Sequence, residues 1–361
     1  MRTANFRWGP SEKAIILYIF VTIAWSLREG HPLSVISLAG VYPAVIMATK
    51  QAPIHSGFGA TTTAREVLGN RRLDGITAVV TGGYAGVGLE TTRALSEAGA
   101  MVVVPARTPD KARAALAEIR GVEVESLDLF IPETIDAFAA RFLASNRPLN
   151  LLINNAGMMA APLARNARGI ESQLATNHLG HFQLTARLWP ALRKARGARV
   201  VELSSRGHRI AGVDFDDPNF ERRPYDKWIA YGQSKTANAL FALALDARGE
   251  PDGIRAFSVH PGGVVTDLMR FMAEDEVRSA ITAAEGIEPL KSTEQGAATS
   301  VWCATSPQLD GMGGAYCEDC DIASAVPADF PGASGVRPWA TDPVLAERLW
   351  KMSEEWTGVT L

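Results

Sequence analysis

Charge of one sign is missing from this chain. Its 361 residues carry 36 Lys and Arg against 39 Asp and Glu, a formal net charge of -3. That balance gives no electrostatic reason for a nucleic-acid or acidic-membrane partner. Cysteine is scarce: three residues, an odd count, imply no disulfide framework and fit a reducing, cytoplasmic setting. There is no internal repeat and no low-complexity tract, which sets aside repeat arrays and biased segments. Long apolar runs are confined to the N-terminus, where Ala14–Leu27 and Leu33–Thr49 flank a break at Arg28–Pro32. A membrane span needs ~20 apolar residues; the first run is shorter, and the second contains Pro43. Residues 1–50 are open to three readings: a membrane anchor, a helical flap, or a stretch upstream of a native start at Met47. Cytoplasmic placement is favoured over anchoring. Residues 51–72 follow as a polar leader.

What is present is ordinary in bulk, 47% hydrophobic and 21% charged residues, as in a soluble globular protein. The order of the residues is more informative. Ile76–Thr81, Ala100–Val104, Val122–Leu127, Leu149–Asn154, Arg199–Leu203 and Ile254–His260 read as strands. Their continuous apolar middles suit strands covered on both faces. Helical patterns alternate with them at Leu89–Ala98, Asp110–Arg120, Pro132–Ala144, Ile170–Ala195 and Lys227–Ala247. This alternation predicts an α/β, Rossmann-like, doubly wound parallel sheet with helices on both faces, as one domain over residues 73–325. Residues 326–361 form a tail with a short helix around Pro343–Glu355. Ligands of such sheets bind beyond the carboxyl ends of the strands.

Gly82, Tyr84, Gly86, Val87 and Gly88 belong to a glycine loop between the first strand and the first helix. Glycine lets the backbone approach a pyrophosphate, and the helix N-terminus adds free N–H groups. The second strand should end in an acid for NAD or an arginine for the NADP phosphate. Pro105-Ala106-Arg107-Thr108 stands there, with no carboxylate before Asp110. The Arg107 fork suits a phosphate. NADP(H) is favoured, and NAD(H) is the alternative.

Tyr231 and Lys235 are four residues apart at the start of a helical pattern, a spacing that places both on one face. A phenol with a reference pKa of about 10 is a poor acid-base group. A nearby ammonium and the positive nicotinamide ring should favour the phenolate. The motif alone is common. Tyr225 has Ile229 where its lysine should be. Tyr231 stands out through ordered company: Asn154-Asn155-Ala156-Gly157 after the fourth strand, Asn177 in a helix, Leu203-Ser204-Ser205 after the fifth, and His260-Pro261-Gly262-Gly263-Val264-Val265-Thr266 after the sixth.

This order resembles the short-chain dehydrogenase/reductase family over residues 73–325. The long interval Arg206–Ala230 and the Gly314–Cys320 segment resemble the branch that holds retinol dehydrogenases, protochlorophyllide reductases and WW-domain oxidoreductases. The resemblance implies an enzyme that moves a hydride between a nicotinamide and a carbonyl or alcohol. Tyr231 is then the acid or base, Ser205 the hydrogen-bond partner of the substrate oxygen, and Lys235 the tuner of Tyr231 and holder of the ribose. Asn177 would position a water beside Lys235. Ser204 is the rival of Ser205, because strand alternation turns only one of them into the cleft. Asp128 and Leu129 would meet the adenine, and Asn155, Ala156 and Gly157 the adenosine ribose. Pro261, Gly262, Val264 and Thr266 would meet the nicotinamide end. A homodimer or homotetramer through the helices of Asn177 and Tyr231 is the family default.

Met158, Met159, Leu268, Met269, Phe271 and Met272 suggest either an adaptable apolar substrate pocket or core packing. Cys317 and Cys320 lack the second pair that a structural zinc needs and are read as structural; His178, His181 and His208 have no metal-triplet spacing. The alternative function is a catalytically silent dinucleotide-binding sensor or scaffold. A Rossmann-like methyltransferase is weaker, because no acid ends the second strand.

Overall fold

The β-branched runs become strands β1 (Thr77–Val80), β2 (Met101–Ala106), β3 (Val122–Ser126), β4 (Leu151–Asn154), β5 (Arg199–Leu203) and β6 (Arg255–His260). Two more, β7 (Tyr316–Glu318) and β8 (Asp321–Ile322), extend one eight-stranded sheet of order β3-β2-β1-β4-β5-β6-β7-β8. Every neighbouring pair is parallel except β7 with β8. The computed structural model describes residues 49–286 and 289–361. The apolar runs of residues 1–48, and with them the anchor, flap and leader readings, lie outside the described residues.

The helices are α1 (Ala64–Leu68), α2 (Gly86–Glu97), α3 (Pro109–Leu116), α4 (Pro132–Ala144), α5 (Ser172–Leu174, a π turn at Ala175–Leu179, then Gly180–Lys194), α6 (Lys227–Gly249), α7 (Glu274–Glu285), α8 (Thr293–Thr305) and α9 (Pro343–Thr357). Strand residues alternate between two cores, as a pleated backbone requires. Val80, Val102, Ile153, Val201 and Phe257 join the core of α2 and α8. Val79, Val103, Leu152, Val200 and Ala256 join that of α4, α5 and α6.

One strand departs from the expected pattern. β3 is an edge strand whose Val122, Glu123, Val124 and Glu125 alternate between the core side and the surface, and no residue in it is fully buried. An edge strand has only one neighbour to exclude water, so a continuous apolar run is not required there. The segment Gln51–Thr63 is also held down. The Gln51 side chain bonds Tyr316 and Ala323, and the Ile54 and Ser56 amides donate to Asp321.

The chain order reverses between β1 and β4, and this places a crevice beyond their carboxyl ends. The loops after β1, β4, β5 and β6 all open there. On the opposite side of the sheet's helices, α9 closes over α5 and α6. Asp342 caps its N-terminus through the Val344 and Leu345 amides, and Gly358 (φ 67) ends it. Trp350 packs edge-on against Phe182 at 5.0 Å and lies 5.8 Å from Phe241. His178 Nε2 and Ser353 Oγ are 2.8 Å apart, and Arg248 pairs with Glu347 at 2.7 Å. The outer face of the Asn177 and Tyr231 helices is therefore covered by the chain itself. Trp350→Ala should remove about 3–5 kcal/mol of stability, the usual cost of truncating a buried aromatic. Val344→Ala, at a position 75% exposed, should change it by less than about 0.5 kcal/mol. Urea unfolding of the two variants checks the contrast.

Candidate active site

The glycine loop follows β1 directly. Gly82 (φ 65) and Gly86 (φ 53) take up the left-handed conformation that L side chains resist. Asn155 Nδ2 donates to the Thr81 carbonyl at 2.8 Å, and the Ala156 amide donates to Thr81 Oγ1 at 3.0 Å. These two bonds fasten the turn after β4 to the loop after β1. Tyr84 and Val87 are half-buried against the core of α2 and α8. The Thr266 methyl would lie 3.1 Å from a Cβ at Gly86, so the loop after β6 also closes on the glycines. Pro261, Gly262 and Val264 line that loop; Val264 bridges Lys291, which pairs with Asp319. Arg107 is exposed at the end of β2. Asp110 lies in the first turn of α3 and pairs with Arg113 at 2.6 Å. The first carboxylate after the end of β2 is thus engaged elsewhere. Asp128 accepts from the Phe130 amide at 3.0 Å, while Leu129 is buried beneath Gly180, where a Cβ would meet its carbonyl at 2.5 Å.

Tyr231 and Lys235 lie in the first turns of α6, which Asp226 caps through the Trp228 and Ile229 amides. Both are buried, with exposures of 4% each. The Ser205 hydroxyl lies beside the Tyr231 ring, both lining the Cβ position of Gly207, and accepts from the Gly207 amide at 3.0 Å. Ser204 turns the other way, donating to the Lys235 carbonyl at 2.7 Å. Of the two serines, Ser205 faces the tyrosine. Lys235 Nζ donates to the Leu203 carbonyl at 2.8 Å and sits 5.8 Å from the centre of the Tyr231 ring.

Burial pushes the Tyr231 hydroxyl up to about 12, against the weaker lowering pull of Ser205. The lowering expected of the Tyr–Lys pair includes the charge of the oxidised nicotinamide and concerns the cofactor-bound site; in the protein alone, desolvation of the phenolate dominates. Burial likewise lowers Lys235 to about 8, with Glu202 opposing the shift.

Asn177 lies within the π turn of α5. Its Oδ1 accepts from the Met158 amide at 2.8 Å, and its Nδ2 donates to the Met158 carbonyl and Ser234 Oγ, each at 2.9 Å. It therefore ties the turn after β4 to α6. A Cβ on Gly157 would lie 3.1 Å from Asn177 Oδ1 and 3.6 Å from Lys235 Nζ.

Several contributors carry no motif in the sequence. His181 bridges Thr81 Oγ1 and the Asn177 carbonyl at 2.9 Å each, its pKa lowered to about 4 by burial. His208 lies beneath the site, with Nδ1 2.8 Å from the Ser205 carbonyl and burial holding it near 3. Met158, Met159, Leu268 and Met269 are half-buried at the mouth and Phe271 is 39% exposed, whereas Met272 is buried. All three cysteines are buried; Cys320 is pushed up to about 12 by burial. Among the described residues, no three of His, Cys, Asp or Glu are grouped to hold a metal ion.

A doubly wound sheet with a glycine cradle at its switch point and a Tyr–Ser–Lys cluster at the same edge belongs to the dinucleotide-linked oxidoreductase class. Comparison with known proteins fixes the family. A sequence model described as short chain dehydrogenase matches residues 76–277, more than half of the chain. The chain is 44% identical over 291 residues to a Streptomyces antibioticus protein named "Probable oxidoreductase", covering 77% of this chain and 96% of that one. It is 37% identical over 300 residues to mouse retinol dehydrogenase 12, covering 80% and 89%. The solved structure of an uncharacterized protein from Mycobacterium paratuberculosis superposes with a TM-score of 0.63 at 31% identity, covering 81% and 97%. The chain belongs to the short-chain dehydrogenase family and is an oxidoreductase of that type.

A Cβ at Gly207 would lie 2.6 Å from Tyr231 Cε1 and 3.4 Å from Ser205 Oγ. Gly207→Ala must shift the tyrosine ring, and misplacing a reacting group by an ångström can cost about 10²-fold. A fall of that size in turnover, with the melting temperature lowered by only a few degrees, is the expected outcome.

Proposed function

We propose that this oxidoreductase is NADP(H)-dependent and moves a hydride between the nicotinamide and a carbonyl or alcohol of an apolar small molecule. Tyr231 acts as the acid or base. The observation that carries this reading is the juxtaposition of Ser205 and Tyr231 at the carboxyl edge of the sheet, with Lys235 packed behind the ring. The nicotinamide, when bound, supplies or accepts the hydride. The protein's part is the proton: Tyr231 gives it to a carbonyl oxygen or takes it from an alcohol, while Ser205 orients that oxygen. Lys235 holds the ribose side and Asn177 fixes the turn over it. Gly82, Gly86 and Gly88, packed closely against Asn155, Ala156 and Thr266, present the loop backbone to the pyrophosphate. Asp128, Leu129, Asn155, Ala156 and Gly157 flank the adenosine, and Pro261, Gly262, Val264 and Thr266 flank the nicotinamide.

The phosphate preference rests on Arg107, with no acid in the chain between the end of β2 and Asp110. Arg270 adds support. It follows Thr266 in the loop that closes on the glycines, and the like charge of Arg107 pulls its proton affinity down, second only to burial. Two arginines whose charges act on one another, with Asp110 already engaged, suit a phosphate monoester better than a ribose hydroxyl. Half-buried Met158, Met159, Leu268 and Met269, with exposed Val265 and Phe271 beside them, favour an apolar substrate. A homo-oligomer is part of the reading, with its contact moved off the face of α5 and α6 that α9 covers. A solution mass above that of one chain supports it, and a monomer removes it.

NADPH oxidation over aldehydes and ketones of graded chain length is the direct test. Activity should rise with apolar length; a preference for small charged substrates refutes the pocket. Tyr231→Phe should lower turnover by about 10²–10⁴-fold, the range of general acid catalysis, and keep cofactor affinity. Undiminished turnover removes Tyr231 from the reaction. Arg107→Ala should raise the KM for NADPH by about 10–100-fold, the value of a hydrogen bond to a charged group, and leave that for NADH within about twofold. Equal effects on both cofactors overturn the NADP(H) assignment.

A further inference from the structure

Beneath the proposed acid–base pair, the sheet carries a polar row where its neighbours carry aliphatic residues. Asn154 on β4 stands opposite Glu202 on β5, Glu202 opposite Ser258 on β6, and Ser258 opposite Tyr316 on β7. All four side chains are buried, with Asn154 and Glu202 fully so. The row faces α5 and α6, since the next residue, Leu203, joins the opposite core. Asn154 Nδ2 donates to Glu202 Oε1 and to Thr185 Oγ1. Glu202 Oε2 has no hydrogen-bond partner, and neither does Asn238 Oδ1 on the adjoining turn of α6. Both Lys235 Nζ and Asn238 Nδ2 end on the Leu203 carbonyl, one residue from Glu202. A carboxyl group in a strand core is costly unless its charge is matched. Lys235, whose ammonium rests on the carbonyl of the next residue, is the cation whose charge acts on it.

We propose that Glu202 is the countercharge of Lys235, a positioning residue that holds the ammonium in its protonated form beneath Tyr231. The proposal rests on Tyr231 and Lys235 as the acid–base pair. The other titratable groups packed around the two are Tyr231 on α6, His181 on α5 and Tyr316 on β7, whose hydroxyl burial keeps protonated; β4 and β6 contribute the uncharged Asn154 and Ser258. Burial and Lys235 lower the proton affinity of His181, and an imidazole, neutral or cationic, supplies no negative charge.

Burial raises Glu202 to about 8, opposed by Asn154 and Lys235, and Glu202 in turn raises Lys235 against its own burial. Each charge therefore favours the other. Below that range Lys235 keeps its proton with or without a carboxylate. Through it, ionised Glu202 delays the loss of the ammonium.

The test is Glu202→Gln, which keeps an acceptor for Asn154 and removes the charge. At pH 6 turnover and the KM for NADPH should stay within about twofold of the unsubstituted enzyme. The alkaline limb of the pH profile should move down by at least about one unit, and Glu202→Asp should restore most of it. Superimposable profiles for the Gln variant and the unsubstituted enzyme overturn the proposal, even where the variant melts earlier. Should the Gln variant not fold, carboxyl-carbon NMR of the unsubstituted protein and of Lys235→Met replaces it. Glu202 should titrate near pH 8 and move upward when the lysine charge is removed. An unchanged titration overturns the proposal. Loss of turnover in Tyr231→Phe combined with superimposable Glu202→Gln profiles defeats only this inference; full turnover in Tyr231→Phe defeats the reading beneath it.

Discussion

A lysine ammonium at 4% exposure must find an acceptor, because an uncompensated buried charge costs several kcal/mol, on the order of a whole domain's stability margin. Lys235 finds it in the Leu203 carbonyl at the end of β5. Much of the site follows from that bond. It pins α6 against the strand end, so that Tyr231, one turn earlier, meets Ser205 just past the same strand. Asn177 fastens α6 to the turn after β4 through Ser234 and Met158. That turn is in turn held on Thr81. Lys235, Asn177 and Asn155 together tie the carboxyl ends of β5, β4 and β1 into a single edge.

The constraint also acts on the helix before it. A regular α-helix through Ala175–Leu179 would set Asn177 by i→i−4 spacing alone; the π turn inserts a residue and offsets the side chain. His181 Nδ1 lies 2.9 Å from the Asn177 carbonyl, and its other nitrogen meets Thr81. The histidine therefore ties the π turn to the end of β1. Its burial keeps it neutral, which suits a position close to Lys235.

Most of the fold was legible because the chain repeats one unit. Strands buried on both faces and helices with one apolar face signal themselves, and Pro132–Ala144 and Arg199–Leu203 have the expected bounds. Misses follow from local physics. β3 alternates because it is an edge. α8 was not expected because buried residues run round most of its surface, from Gly296 to Ala304, erasing the helical stripe; only the Ser292–Gln295 capping box announced it. β7 and β8 are too short to show a period. The site's motif residues were legible by order, but Glu202 was passed over as part of an apolar strand. A lone carboxylate in Arg-Val-Val-Glu-Leu was the signal: such a residue is rarely buried unless paired.

Burial also decides what the site does at rest. With Tyr231 held near 12 and Lys235 near 8, the phenol keeps its proton across the neutral range whatever the solution supplies. Lowering it toward neutrality needs positive charge inside the same dry volume, since a charge in bulk water is screened within about 10 Å. Lys235 can supply part of that charge only while it stays protonated, and its own burial works against this. On the proposed reading the remainder comes with the positively charged form of the cofactor. The acid form of Tyr231 then stands ready for reduction without assistance, while its base form is available only when the oxidised cofactor is in place. Proton chemistry would thus be coupled to the occupant of the crevice by desolvation, without any moving part.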